Sequence, residues 1–426
     1  MKDKAGKAAN PVSCALALAF FAASPSGLFA SGYEFDGIGA RAIARGGAVI
    51  ADAADWTAIY WNPANLVSVA KKEAGLELKS GFALTKDGNS FNSGLAGDTF
   101  SKTERTSPFL FGSLGAAVPL GPESALGAGF YMPLMQGTAF KDTGSTGNFL
   151  YNSLDYKGFA AIMVGNISYS RKLSDKAALG AGVNVVRGNL QSDTKAGLNM
   201  PPSLALIIAL AGQPGTLKSE TEATGYGLEG VFGGRYQLSD AVTLGAVLRT
   251  GSKVKLKGDS EASFLTVTEK SDMEFTLKQP PTSGIGAAWQ AKKNLKLTCD
   301  LTQTWWRGFS NELNYDTPGE LLADRPNTFN WKTSYKFRAG ALWAYSAMTD
   351  LMFGYAFDTP AIDKDNVDFS TAVDVPMHRI SAGVSRRWGD LLGSLSALAG
   401  SGSRRTGAVS YRLSGYYLIG ELKYGF

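Results

Sequence analysis

Side chains able to carry covalent or proton-transfer chemistry are sparse in this 426-residue chain. His378 is the single histidine, with Arg379 beside it. A hydrolase of the Ser–His or Asp–His kind needs such a base to activate its nucleophile, so His378 is the only candidate for that role. "GYGLEG", Gly225–Gly230, has the spacing of a phosphate-cradling glycine loop, yet it opens no evident helix and sits in no βαβ unit. "DKDNVD", Asp363–Asp368, spaces its carboxylates like a cation loop but lacks the downstream glutamate of one. It reads as a solvated loop. Neither motif supports a cofactor or a metal.

The elements that would position any site differ along the chain. Lys2, Lys4 and Lys7 precede an apolar run, Val12–Ala23, and a small-residue stretch ending at Ala30. This is the pattern of a secretory signal peptide over residues 1–30. Cys14 lies too early in that run for a lipoprotein anchor. Without these residues the chain keeps 39 basic and 36 acidic side chains, a net of +3 that is too small and scattered to argue for nucleic acid. Cys299 is then the one cysteine left, so no intramolecular disulfide is expected even in an oxidising compartment. Charged residues are only 19%, with 11% aromatics and 51 glycines, a composition suited to glycine- and aromatic-rich strands.

Strict alternation is clearest at the end of the chain, "YYLIGELKYGF". Tyr416, Leu418, Gly420, Leu422, Tyr424 and Phe426 share one face, and Glu421 and Lys423 the other. In "YKFRAGALWAY", Tyr335, Phe337, Trp343 and Tyr345 oppose Lys336 and Arg338. Leu295, Leu297, Cys299 and Leu301 oppose Lys296, Thr298 and Asp300. Ile380, Ala382 and Val384 oppose Arg379, Ser381 and Ser385. Aromatics bracket the apolar faces while charges gather on the other, as in strands that cross a bilayer and line a polar lumen.

Six short polar turns recur, at 120–124, 173–177, 238–241, 290–294, 346–350 and 388–390. Between them lie longer links such as Lys86–Ser107, Gln136–Lys157, Gln191–Thr224 and Gly308–Asn327. Thirteen alternating connections predict fourteen strands over residues 73–426. The fold class is therefore all-β, a 14-stranded antiparallel transmembrane β-barrel, with both termini on the periplasmic side of an outer membrane.

Residues 31–72 precede the first strand and hold "ADAADWTAIYWNPANL". Asp52 and Asp55 suit the start of a short helix through Tyr60. Asn62-Pro63 stops it, and Pro63 opens the next turn. The triplet Asn62-Pro63-Ala64 is thus a helix–kink–helix joint. It either plugs the lumen or hangs outside it, and either moves or only holds shape.

"GIGARAIARGGAVIADAADWTAIYWNPANL" resembles the N-terminal hatch of the FadL family, outer-membrane channels for long-chain fatty acids and other hydrophobic compounds. The matching residues are Gly39, Arg41, Ala42, Gly46, Gly47, Ala48, Ala51, Asp52 and the Asn62-Pro63-Ala64 triplet. Gln279–Trp289, Asp300–Trp306, Trp331–Trp343, Phe353–Ala361 and the terminal Phe426 follow family patterns in the family's order. The resemblance implies a small N-terminal helical hatch in the lumen and passive uptake of hydrophobic molecules. It implies capture at the outer mouth, a lumenal site and a sideways exit at a kinked third strand. It also implies partners: a fatty acid or aromatic hydrocarbon, the bilayer with its lipopolysaccharide, and the assembly machinery through Phe426. The expected state is a monomer.

Three regions are then candidates for transport. The third strand, "ALGAGFYMPL", carries Gly127, Gly129 and Pro133, poor residues for a regular internal strand. A kink there, or the end of the strand at Pro133, would follow, with Phe130, Met132 and Met135 lining an apolar path. "PPSLALIIALAGQPG", with Leu204, Leu206, Ile207, Ile208 and Leu210, has no charge. It forms either an exposed capture surface or a helix packed into the mouth. Arg338, Lys336 and Arg379 face the lumen, where they meet an anionic head group or pair with lumenal carboxylates. A porin for polar solutes is the alternative channel, and a barrel enzyme using His378 the remaining class.

Overall fold

The computed structural model describes residues 36–88, 104–143, 151–198, 200–212, 215–307, 310–328, 331–362, 374–406 and 409–426. Within these the strands are β1 Glu73–Gly88, β2 Glu104–Pro119, β3 Ser124–Thr143, β4 Tyr151–Lys172, β5 Ala177–Leu198 and β6 Thr216–Gln237. Four strands follow in two segments each: β7 Val242–Arg249 and Ser252–Phe264, β8 Val267–Gln279 and Thr282–Lys292, β9 Leu295–Thr304 and Ser310–Tyr315, and β10 Arg325–Thr328 and Ser334–Ala344. β11 Thr349–Asp358, β12 Met377–Trp388, β13 Leu391–Thr406 and β14 Val409–Gly425 complete the set. Eighteen segments thus make fourteen antiparallel strands. Each joins its sequence neighbours, and the sheet closes where Glu73 of β1 pairs with Gly425 of β14.

The breaks have local causes. Pro280-Pro281 interrupts β8, because proline donates nothing to a ladder. Gly251, at φ 72°, interrupts β7. The six predicted short turns all join strands at one end of the barrel. Two of the longer links are shorter than the sequence suggests: much of Gln136–Lys157 and Gln191–Thr224 is strand. β4, β5 and β6 reach 22 residues each, about twice what a tilted bilayer crossing needs. Their polar far ends therefore extend past the apolar belt.

Alternation sets the two faces. Tyr335, Phe337, Trp343, Tyr416, Leu418, Leu422 and Tyr424 point outward and are exposed, whereas Lys336, Arg338, Asp300, Arg379 and Glu421 are buried inside. Cys299 is on the exposed outer face.

Residues 36–72 lie within the barrel. They form α1 (Ala40–Ala44), α2 (Ala58–Trp61) and a 3-10 helix, Pro63–Ser68. α1 packs against β11–β13, and the 3-10 helix against β4–β6 on the opposite wall, so the segment crosses the lumen. The wall accommodates it with glycines. A Cβ on Gly180 would come 2.4 Å from the Ala64 nitrogen, and one on Gly354 would come 1.9 Å from the Gly46 nitrogen. Much of the chain's glycine excess on strands is spent on this close approach.

Candidate functional site

The N-terminal segment is tied to the wall by charges that alternation turned inward. Ile50 donates its backbone N–H to Asp300 at 2.9 Å. Ala40 donates to Glu421 at 2.8 Å, and Trp56 donates its ring N–H to the same carboxylate at 3.0 Å. Gly39 donates to Glu77. Asp52 does not cap a helix as the sequence suggests. It accepts from Arg45 and from Lys296 of β9, both at 2.6 Å, and so ties the segment to the wall. Burial pushes the Asp52 carboxyl up, but these two cations outweigh that and hold it below its ordinary value. Asp55 does the local work instead, accepting from the Thr57 N–H at 3.0 Å. Arg379 pairs with Asp358 at 2.5 Å and with Asp36 at 3.3 Å, a structural anchor rather than a waiting cation.

The Asn62-Pro63-Ala64 joint is held on all sides. Asn62 is fully buried and ends α2 in an extended conformation (φ −166°). Its side-chain N–H groups donate to the Ile50 carbonyl at 2.8 Å and to the Gly234 carbonyl of β6 at 3.0 Å, while its side-chain oxygen accepts from Ala64 at 3.1 Å. Asn65 donates to the same Ile50 carbonyl at 2.9 Å. Pro63 takes the first 3-10 position.

On the long-loop side of this joint lies a cavity of about 150 Å³. Ile50, Tyr60 and Trp61 of the N-terminal segment form its floor. Tyr131 and Pro133 of β3, Ile162 and Val164 of β4, Val247 of β7 and Trp306 form apolar walls. Cations stand at the rim: Arg249, Lys336 and Arg338. The Arg249 guanidinium lies 4.5 Å from the Tyr60 ring centroid, donates to the Tyr60 carbonyl and pairs with Glu229 at 3.4 Å. Glu229 accepts from Asn184 at 2.5 Å. Arg338 lies 5.9 Å from the Trp61 ring and donates to Thr302 at 3.3 Å. Sequence reading found Arg338 and Lys336 but missed Arg249, although its inward parity with Val247 was there to be read. Tyr60 and Trp306 carried no such signal.

The wall beside this cavity is incomplete. β2 and β3 pair from Pro119↔Ala125 up to Ser113↔Tyr131, and among the described residues no pair lies beyond. Yet β2 pairs with β1 as far as Glu104, and β3 pairs with β4 as far as Thr143. The two strands part above Ser113 and Tyr131. At that level the β3–β4 register slips between Tyr131 and Leu134, a bulge. Pro133 thus lies inside a continuous 20-residue strand, not at its end. Gly127 and Gly129 face inward, where a Cβ would meet Ile59 at 2.7 and 2.4 Å. They seat α2. Phe130 points to the opposite face from Gly129 and Tyr131, and neither it nor Met132 lines the cavity. Tyr131 and Pro133 line it instead. The Met135 side chain lies outside the described residues.

The apolar stretch on the long-loop side forms α3, Pro202–Leu210. Leu206, Ile207 and Leu210 are exposed, while Ile208 is 7% exposed. The Leu204 side chain lies outside the described residues, as do Asp363–Asp368. Gly225–Gly230 lies within β6 and opens no helix. His378 sits on the outer face, its ring 4.7 Å from that of Phe357 and its Nδ1 2.8 Å from the Tyr355 hydroxyl.

Residues 16–383 match the model of a family described as outer membrane protein transport protein (OMPP1/FadL/TodX). No curated protein matches the chain by sequence. Solved structures share its architecture. A Pseudomonas aeruginosa FadL homologue is 15% identical over 93% of this chain and 100% of its own, with a TM-score of 0.74. The Pseudomonas putida toluene transporter TodX is 16% identical over 93% of this chain and 100% of its own, at 0.68. The Ralstonia pickettii toluene transporter TbuX is 16% identical over 92% and 99%, at 0.66. At these identities the likeness is one of fold.

Proposed function

The chain belongs to the OMPP1/FadL/TodX family of outer-membrane transport proteins, and from that premise we propose that it is a passive channel for small hydrophobic molecules with a lateral exit. The solute is captured at the long-loop end, bound in the cavity above the N-terminal hatch (residues 31–72) and released through the wall between β2 and β3. The short-turn end and both termini face the periplasm.

One observation carries the reading. The strands part at Ser113 and Tyr131, and Tyr131 and Pro133 also line the cavity. A solute in the cavity therefore lies next to a break in the wall, while the hatch closes the path straight down. A hydrophobe gains by this route. It bypasses the polar outer layer and then partitions into hydrocarbon, at about 25 cal/mol per Å² of apolar surface. No energy source is needed. The exposed apolar turns of α3 supply an external surface on which it first adsorbs.

The cavity volume suits a molecule of about one aromatic ring, since cavities of roughly 150 Å³ with apolar linings hold benzene. A second reading rests on Lys336 and Arg338 at the rim: a longer amphiphile whose acidic head sits there while its chain runs out through the gap. Equilibrium binding of toluene, a long-chain fatty acid and a disaccharide to the purified barrel separates these. Toluene binding supports the first reading and fatty-acid binding alone the second. Disaccharide flux without hydrophobe binding would make the protein a porin and defeat both. The family is one of transport proteins rather than enzymes, and the outward position of His378 agrees with that. We take the channel to work as a monomer, since one chain supplies a closed barrel.

A further inference from the structure

The outward face of β5–β8 is stratified in a way that transport does not explain. Its apolar belt includes Val183 and Val185 of β5, Leu228 and Phe232 of β6, Leu248 of β7 and Ile285 of β8, all exposed. On the long-loop side the belt ends at Tyr226, 61% exposed. In register with Tyr226 stand Arg187 of β5 and Lys255 of β7. The Arg187 guanidinium lies 5.9 Å from the Tyr226 ring centroid. Lys253 and Lys257 flank Lys255 on the same face of β7, and Lys278 of β8 lies directly opposite Lys253.

Carboxylates stand among these cations. Glu274 meets both Lys255, at 3.8 Å, and Lys257, at 3.3 Å; Lys278 reaches Glu312 at 3.9 Å. Lys255 and Lys257 keep 65% and 73% of their side-chain surface exposed. Like charges directly opposite one another across a ladder are unfavourable by themselves, so the Lys253–Lys278 pair does not serve the fold. Beyond these cations the charge changes sign. The next outward row is Glu222, Asp259 and Asp272. The basic residues fill three successive outward rows at and beside Tyr226, the level where an aromatic girdle meets the lipid head groups, and Lys270 and the Lys195–Lys218 pair lie past the acidic row.

We propose that this band is a docking surface for the phosphate groups of the phosphorylated glycolipid of the outer leaflet. Basic clusters at a membrane boundary gain about 1 kcal/mol per lysine or arginine from anionic lipid, and phosphate accepts charge-assisted hydrogen bonds from both side-chain types. The acyl chains lie along the apolar belt below, so head group and tails are matched by adjoining surfaces. The proposal rests on the reading above that the long-loop end faces outward, and it names a partner for the wall rather than the transported solute.

The test uses the full-length barrel in non-ionic detergent, titrated with fluorescent diphosphoryl lipid A and with the same lipid stripped of phosphate. The triple variant K253Q/K255Q/K257Q changes only outward side chains, and heat-modifiable gel mobility reports that it folds. The proposal expects at least about a tenfold loss of lipid A affinity in the variant, weaker wild-type binding as salt is raised, and little binding of the phosphate-free lipid. Equal binding by wild type and variant, or equal binding of the two lipids, overturns it. Orientation is read separately in a Cys299→Ser background. An impermeant maleimide that labels Lys270→Cys on intact cells places the band outside, and absence of labelling overturns the proposal together with the orientation on which it rests. Unchanged hydrophobe uptake by the triple variant separates a failure of lipid docking from a failure of the transport reading.

Discussion

The side-chain oxygen of Asn62 occupies the space that a Cβ on Gly233 would need: an ideal Cβ would fall 2.0 Å from it. The joint in the N-terminal segment and the wall strand β6 are thus shaped to each other, and glycine is what β6 requires at that point. Replacing Gly233 by alanine should displace the joint. Asn62→Ala removes the conflicting atom but gives up two donated bonds and one accepted bond; the Ile50 carbonyl keeps Asn65 as a donor, so the cost, about 1–3 kcal/mol for a buried group left without a partner, falls on the Gly234 carbonyl and the Ala64 N–H. Both variants should fold as barrels, with the segment more open to protease and uptake reduced. The double variant should lose less than the sum of the two, because the sites touch. Full additivity in proteolysis rates would show that the contact does not set the joint.

Asp52 predicts a pH dependence of attachment. Its folded pKa is lowered from an ordinary 3.8 by Arg45 and Lys296 against the effect of burial. A depressed carboxylate contributes stability that is fully present above the unfolded value and lost as pH falls through the folded one. The protection that Asp52→Asn removes should therefore be constant from about pH 8 to about pH 5 and fade only below about 4. Asp52→Asn should raise protease sensitivity of the segment wherever that protection is present, since it leaves two cations without their carboxylate. A difference between wild type and Asp52→Asn that changes near neutral pH would assign this part of the attachment to another group.

The cavity can be filled without touching its charges. Val247 lines it from β7, and Val247→Trp adds a ring about the size of the proposed solute. Hydrophobe affinity should fall at least about tenfold, the equivalent of about 1.4 kcal/mol, while heat-modifiable mobility is kept. Unchanged toluene affinity by equilibrium partition would place the binding site elsewhere.

His378→Ala should leave uptake unchanged. The ring faces outward against Phe357 and Tyr355, away from the cavity. Loss of uptake in a folded variant would contradict the lumenal route.

Much of this was legible in the sequence because a barrel wall repeats one rule. Each strand shows its parity in its own residues, as Lys336 and Arg338 do between Tyr335 and Phe337, and each short turn is polar. Features set by distant partners were not legible. Nothing local tells that Gly354 faces Gly46, or that Asp52 meets Lys296 of β9 rather than capping a helix. Pro133 shows the limit well. A proline in a strand signals an irregularity, but the sequence allows a strand end as readily as a bulge. Only the register of β4 shows that the strand continues past it.

The lateral route is the central claim, and a cross-link across its mouth tests it. Gly112 and Met132 occupy the row just beyond the last β2–β3 pair, Ser113↔Tyr131. In a Cys299→Ser background, which removes the one cysteine among the described residues, Gly112→Cys with Met132→Cys would tie the parted strands together. Uptake of a radiolabelled hydrophobe by cells carrying the oxidised double variant should stop and return on reduction, with each single variant active throughout. Full uptake with the cross-link verified as formed would contradict the lateral exit.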